Sequence, residues 1–292
     1  MGRFARTARR PILYPGADVA YGTLPLIVSV SDCHVAGYSV QLGAASTAME
    51  ATLMTTTTPR DQKVLTTYER YLNTEELFQL QKPPEVQIHP DELTFQVVHQ
   101  TFELWWKVTL QQLGAAIALL NAGKVQEAAP PLRRAVAAQA VVMQAIRQLE
   151  FVAPADFLKI RTGLGNGSGA DSPGFRAILR VAPDVWDAYT GALDRRDVRL
   201  LDVYAHPHEH PAFYECAEIL TDFDEQFHLF RAAHLKLAQR NLGLQAIGTG
   251  GTPMQMLERT LGDLLFLPLW QVRDELLTQT QQSASKSGHA SA

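Results

Sequence analysis

The sequence predicts an all-α protein built as a helical bundle, and three observations predict it. Apolar residues recur at i, i+3, i+4 spacing through most of the chain, strand-like alternation is nowhere sustained, and the breaks between periodic stretches fall at proline- and glycine-marked connections. With 292 residues and 46% hydrophobic content there is ample length for a buried core. The pattern divides the chain into an irregular or partly disordered extension at 1–63, a helical domain at 64–277 and a polar, low-complexity tail at 278–292 expected to be disordered. Met54 lies within the extension as a candidate alternative start.

Composition excludes several classes of function. The net charge is −4 and no lysine and arginine run is placed to track phosphates, which argues against nucleic acid. No apolar run reaches the length of a membrane span. The basic stretch MGRFARTARRPI lacks a following h-region, and the cysteines are two, Cys33 and Cys216, so a reducing, cytoplasmic setting is expected. No CxxCH is present to attach a haem through thioethers.

TTYERYLNTEELFQLQ (66–81) places Tyr68, Tyr71 and Leu72 before Asn73 and Thr74, either of which can cap a helix running through Leu80. KPPEVQIH is a proline-marked loop ending in His89, and Pro90, Asp91 and Glu92 open the next helix. That helix, through Leu113, is apolar over a wide arc and carries His99 and Glu103 one turn apart, a spacing for two metal ligands or, the favoured reading, for a histidine and carboxylate sharing a hydrogen bond. Residues 113–121 and 131–150 then pair as antiparallel helices.

FVAPADFLKIRTGLGNGSGADSPGFRAIL (151–179) puts Phe157 and Arg161 on a short helix before a glycine- and serine-rich loop, a way to hold a carboxylate bidentately; a surface pairing of Arg161 with Asp156 or Asp171 is the alternative. HPHEHP presents His206, His208 and His210 at alternating positions, with a turn favoured over a metal site because of its two prolines. In residues 225–252, Phe227, Phe230, His234 and Leu237 share one helical face, so His234 is a buried histidine that needs a partner: a carbonyl, a metal or a haem iron. Gly243 is placed to end that helix as a left-handed cap, and GTGGT (248–252) offers backbone N–H groups and hydroxyls to an anion. A last apolar-faced helix with a break at Pro268 closes the fold.

Five separated motifs occur in order: YxxYL (68–72), HxDE followed by HQTFELWWK (89–107), FLKIR with GSG (157–169), RxxH (231–234), and GTGG with FLPLWQVR (248–273). As a set they resemble the tryptophan 2,3-dioxygenase superfamily of histidine-ligated haem proteins, over about residues 66–276. The resemblance implies an all-helical, oligomeric haem b enzyme, a dimer or tetramer, with residues 64–277 as its catalytic domain and the haem held without covalent attachment. It implies that His234 is the proximal iron ligand, with Ser168 and Gly169 beside the haem. Arg161 and Thr249 would hold the carboxylate and ammonium of an aromatic amino acid, Phe157 would line its pocket, and Tyr68 and Tyr71 would border a site, that of a neighbouring subunit included. His89 would be the distal acid/base.

Departures from the dioxygenase pattern set the reaction expected. His89 stands one residue further from the DE pair, with Pro90 between; Ala170 and Asp171 stand where an aromatic residue is usual; and the stretch from His234 to GTGG is one residue longer. These features look more like the superfamily branch that hydroxylates L-tyrosine to 3,4-dihydroxyphenylalanine with hydrogen peroxide in antibiotic pathways. The alternatives are a tryptophan or substituted-tryptophan dioxygenase or monooxygenase using O2, and a haem-binding sensor without turnover.

Overall fold

The structure, a computed structural model, describes residues 64–249, 251 and 253–289, the side chains of 283–289 excepted. The readings of residues 1–63, Met54, Gly250, Thr252 and 290–292 lie outside the described residues. The described part belongs to one compact unit, and it contains ten α-helices and no named strand.

The first two helices, α1 (Thr67–Leu72) and α2 (Thr74–Leu77), are short, and neither contains a buried residue. Asn73, expected with Thr74 as a candidate cap of a helix through Leu80, is the N-cap residue of α2; its φ of 50° separates the two helices, and α2 stops at Leu77, short of Leu80. Asparagine tolerates this left-handed conformation better than most residues. Thr66 caps α1 by a reciprocal exchange with Glu69.

Four long helices form the bundle: α3 (Asp91–Asn121) and α4 (Val125–Ile146), followed after the short α5 (Pro154–Thr162) by α6 (Pro173–Asp194) and, after α7 (Leu200–Ala205), by α8 (Pro211–Leu242). Helix α3 packs on α4 and α6, and α4 packs on α8. Helix α3 runs unbroken past Leu113 because its buried stripe, from Val98 and Phe102 through Trp106 to Leu120, continues without a proline. Its partner α4 starts six residues before the expected position 131, at Val125, with Pro130 and Pro131 inside it. The prolines forfeit hydrogen bonds near the helix start, and burial of Val125, Ala128 and Ala129 holds that turn in place. Each fully buried aromatic such as Phe223 or Phe227 contributes roughly 2–3 kcal/mol of hydrophobic stabilisation.

The closing segment divides into α9 (Met254–Arg259), a 3-10 turn at Thr260–Gly262 and α10 (Leu267–His289), with Pro268 in the first turn of α10. Asp224, fully buried on α8, accepts from Leu265 N at 2.9 Å, Phe266 N at 3.0 Å and the Trp270 indole at 3.0 Å. Helix α10 also passes through the polar stretch after Thr278, where disorder is expected from composition. That stretch contains no helix breaker before Gly288, and Thr278 and Thr280 donate back to the carbonyls four residues earlier. No described helix is long and apolar enough to cross a membrane.

Candidate functional site

Two adjoining cavities of about 160 and 400 Å3 lie between α3, α8, the loop after α5 and the segment after α8, and both are walled by His99, Gly169, Ala170, His234 and Leu257. The smaller is also lined by Phe95, Phe157, Arg161, Ser168 and Thr249. The larger has aromatic walls from Phe102, Trp106, Phe175 and Phe230, with Glu103 and Arg231 at its margin.

His234 sits seven residues after Phe227 and four after Phe230, and this puts it on the inward face of α8. Enclosure by protein pushes its pKa down to about 4, with His99 nearby acting in the same direction. The ring is therefore neutral near pH 7 and retains a lone pair. Helix α8 ends where expected, at Gly243, although the glycine takes φ 88° and ψ 169°, a positive-φ conformation that favours glycine but is not the left-handed helical cap.

His99 is the residue that sequence reasoning left out of the site. Its Nδ1 lies 2.7 Å from the Phe95 carbonyl, and since a carbonyl cannot donate, Nδ1 must carry the hydrogen. Burial lowers the pKa of His99, so the ring is neutral and Nε2 is a hydrogen-bond acceptor. The hydrogen bond expected between His99 and Glu103 does not form. Glu103 instead accepts from Ser172 Oγ at 2.5 Å and Gly174 N at 2.8 Å. The available signal was position: His99 lies four residues after Phe95 and three before Phe102, and packs on both rings at 4.1 and 5.4 Å.

His89 is not brought to the cavities. Its Nδ1 lies 3.6 Å from Asp91 and its Nε2 3.4 Å from Asp156, in the first turn of α5. Buried Glu92 fastens the preceding loop by accepting from Lys82 Nζ at 2.6 Å and Ile88 N at 2.8 Å, and His89 follows directly, beside Asp156 of α5. His89, Asp91 and Asp156 are the described residues close enough to share a metal ion, but the Lys159 ammonium already occupies the Asp156 carboxylate at 2.8 Å. His206, His208 and His210 form no such group among the described residues, and HPHEHP is the turn between α7 and α8.

The remaining predicted residues divide. Phe157, Arg161, Ser168, Gly169 and Thr249 all reach the smaller cavity. Arg161 donates to the Ile247 carbonyl at 2.6 Å rather than pairing with Asp156 or Asp171, and the Thr249 hydroxyl donates to the Gly167 carbonyl. Tyr68 and Tyr71 stand on α1 with 69% and 84% of their surface exposed, and neither lines a cavity.

A haem fits this donor set. The neutral ring of His234 has no hydrogen bond contributing to its pKa, and Gly169 keeps the space before it clear, since a Cβ there would lie 3.4 Å from Nε2. The larger cavity offers flat aromatic walls, and at its margin the Arg231 guanidinium donates to the Thr260 and Asp263 carbonyls, with a buried Nε–H that has no partner among the described residues.

A helical bundle enclosing such a cavity defines the class of all-α haem proteins. The tryptophan 2,3-dioxygenase family matches residues 55–181. The tryptophan 2,3-dioxygenase of Serratia proteamaculans is 30% identical over 260 residues, covering 72% of this chain and 92% of the relative. That of Caulobacter vibrioides is 30% identical over 261 residues, covering 72% and 98%, and that of an Arthrobacter species 29% over 268 residues, covering 74% and 94%. The chain belongs to the tryptophan 2,3-dioxygenase family, and as such it is a haem-dependent oxidoreductase that takes haem b non-covalently.

Proposed function

We propose that this protein is a dioxygenase of tryptophan or a ring-substituted tryptophan, with His234 as the proximal haem ligand. The observation that carries this reading is the pair of neutral histidines walling the same two cavities, one with a free lone pair for iron and the other with Nε2 free to accept a hydrogen bond. The haem, when bound, supplies the redox centre at which O2 is activated. Both oxygen atoms enter the substrate as the indole C2–C3 bond breaks, leaving a ketone and an N-formyl group, so the reaction balances without a reductant.

The protein's own residues orient and desolvate the substrate. His99 Nε2 accepts the indole N–H, Phe95 and Phe157 flank the ring, and Arg161 with Thr249 takes the carboxylate and ammonium at the opposite end of the smaller cavity. Ser168 and Gly169 border the haem edge. Tyr68 and Tyr71 border a neighbouring subunit of a homo-oligomer, a reading supported by their exposure on a helix with no buried residue. The cytoplasmic setting rests on the sequence's sparse cysteines.

L-Tyrosine hydroxylation with peroxide, the reading favoured by the offset of His89, loses its main support because His89 lies outside both cavities. The relatives also favour the dioxygenase reading, being named tryptophan 2,3-dioxygenases. The deciding experiment assays holoprotein with tryptophan and O2 for an N-formylkynurenine product, beside tyrosine and peroxide for a catechol. Catechol alone would overturn the proposal, and a haem spectrum with no product from either would favour a sensor.

Three further variants assign the histidines. His234→Ala is expected to abolish the Soret band. His99→Ala is expected to keep the band and lose about 100-fold or more in kcat/KM, while His89→Ala stays within about threefold of the wild type. The reverse order for His99 and His89 would restore His89 as the distal group.

A further inference from the structure

We propose that Glu103 is a positioning residue that fastens the Gly169–Asp171 turn to the helix bearing His99, and so sets the space in front of His234. The inference rests on the reading of His234 as the haem ligand and goes beyond it to the residue that holds the opposite wall.

Gly169 walls both cavities, and a Cβ placed on it would meet His234 Nε2 at 3.4 Å. A small movement of this backbone would therefore change the room available beside the ligating nitrogen. The turn is a stiff local unit: Ser168 N donates to Asp171 Oδ2 at 3.1 Å, Ala170 N to Ser168 Oγ at 3.3 Å, and Asp171 pairs with Arg176 at 2.7 Å. None of these bonds reaches the helices that carry the histidines.

Glu103 and Thr249 make that connection. Glu103, one turn after His99 on α3, accepts from Ser172 Oγ and Gly174 N just beyond the turn, and Ser172 Oγ in turn caps α6 by accepting from Phe175 N at 3.0 Å. Thr249, in the segment that follows α8, donates to Gly167 just before the turn. The turn is thus tied on one side to the helix of His99 and on the other to the extension of the helix of His234. Close approach is built into the first tie, because a Cβ on Gly174 would fall 2.6 Å from Glu103 Oε2 and 2.9 Å from the Trp106 ring. Glu103 therefore does more than cap α6: it transmits the position of α3 to the backbone beside His234.

The test compares holoprotein of Glu103→Ala, Glu103→Gln, Ser172→Ala and the double Glu103→Ala/Ser172→Ala variant. The readouts are haem release to excess apomyoglobin, kcat and KM separately, and melting by circular dichroism. Glu103→Ala is expected to speed haem release roughly tenfold or more and to raise KM more than it lowers kcat, from loss of bonds to a charged acceptor. Glu103→Gln, which retains an acceptor oxygen, is expected to recover at least half of that effect on a logarithmic scale. The double variant should be no worse than Glu103→Ala within about threefold, since both remove the same tie.

A lowered melting temperature with wild-type haem release and KM would show that Glu103 only caps α6, and would overturn the proposal. Additive effects in the double variant would overturn it as well. Should Glu103→Ala fail to fold, Glu103→Gln and Ser172→Ala decide: faster haem release at an unchanged melting temperature supports the tie, and wild-type release in both sinks it. His234→Ala is measured alongside. Retention of the Soret band there would refute the haem-ligand reading itself, whatever the Glu103 variants do.

Discussion

The helices that carry His99 and His234 and the loops that bring Gly169 and Thr249 to the same cavity, beside Arg161 at the end of the short α5, are built in opposite ways. Helices α3 and α8 are held by a mesh of aromatic contacts: Phe230 packs on Phe102 at 5.5 Å, Trp106 at 5.4 Å and Phe175 at 6.5 Å, and stacks on the His234 ring at 6.3 Å. From 163 to 172 no residue is buried, and among the described residues between 243 and 253 none is either. Those loops are placed by single polar bonds such as Arg161 to Ile247 and Thr249 to Gly167. The walls that the helices give the cavities are thus set by packing, and the walls that the loops give them are set by a few replaceable hydrogen bonds. Mutations on the two sides should differ accordingly, in stability on one and in substrate affinity on the other.

The largest effect is expected in the aromatic mesh. Phe230→Ala removes a side chain that is 5% exposed, and is expected to cost about 3–5 kcal/mol of unfolding free energy, read by urea denaturation. Haem affinity should fall with it, because the ring steadies His234. A loss below about 1 kcal/mol would show that the cavity wall relaxes freely and would erase the contrast between helices and loops.

Acid should weaken the same side next. The pKa of His234 in the fold is about 4, below the ordinary value near 6.5, and that of His99 is lowered too. The unfolded chain therefore binds more protons than the folded one across that window. For His234 this contribution to stability is fully present above about pH 6.5 and is lost as the pH falls toward 4, by up to about 1.4 kcal/mol per pH unit, and His99 acts with the same sign. Urea midpoints of haem-free protein measured at pH 7 and 5 check this, with His234→Ala flattening the dependence. An unchanged slope in that variant would mean that other groups dominate.

The same contrast explains what could be read from the sequence. Periodicity placed His234 inward because packing of α8 repeats every turn, and the wide apolar arc after Pro90 marked α3 as a helix for the same reason. Selecting between His89 and His99 required knowing where the preceding loop is fastened, and that depends on the Lys82–Glu92 pair and on contact with α5 rather than on local pattern. Glu103 was legible as a helix neighbour of His99, but its partners, Ser172 and Gly174, lie 69 and 71 residues further along the chain. Helix periodicity carries no information about such bonds, and a motif's spacing does not say which histidine the fold brings to the cavities.

On the loop side the larger effect belongs to Arg161. Arg161→Ala is expected to raise KM for the amino acid roughly 10–100-fold with kcat within about threefold, as loss of a charged, bidentate partner does. Arg161→Lys keeps the charge without the planar fork and should recover only part of the affinity. The melting temperature should barely move, since among the described residues the guanidinium is bonded to the Ile247 carbonyl alone. A drop in stability comparable with that of Phe230→Ala would mean that the loops, too, are fixed by packing.

Thr249→Val makes the finest distinction. Valine preserves the shape of threonine and removes the donor that now reaches the Gly167 carbonyl. One neutral hydrogen bond is worth about 0.5–1.5 kcal/mol, so a rise in KM of roughly two- to tenfold is expected, with the haem spectrum unchanged. If Thr249 serves only to tie its loop to Gly167, Thr249→Val and Thr249→Ser should differ for every substrate alike. If the hydroxyl also contacts the amino acid's ammonium or carboxylate, the difference should shrink for an analogue such as indolepropionic acid, which lacks the ammonium, and shrink further for one lacking both groups. Equal discrimination across all three compounds would assign Thr249 to the loop tie and leave Arg161 as the main anchor of the amino-acid end.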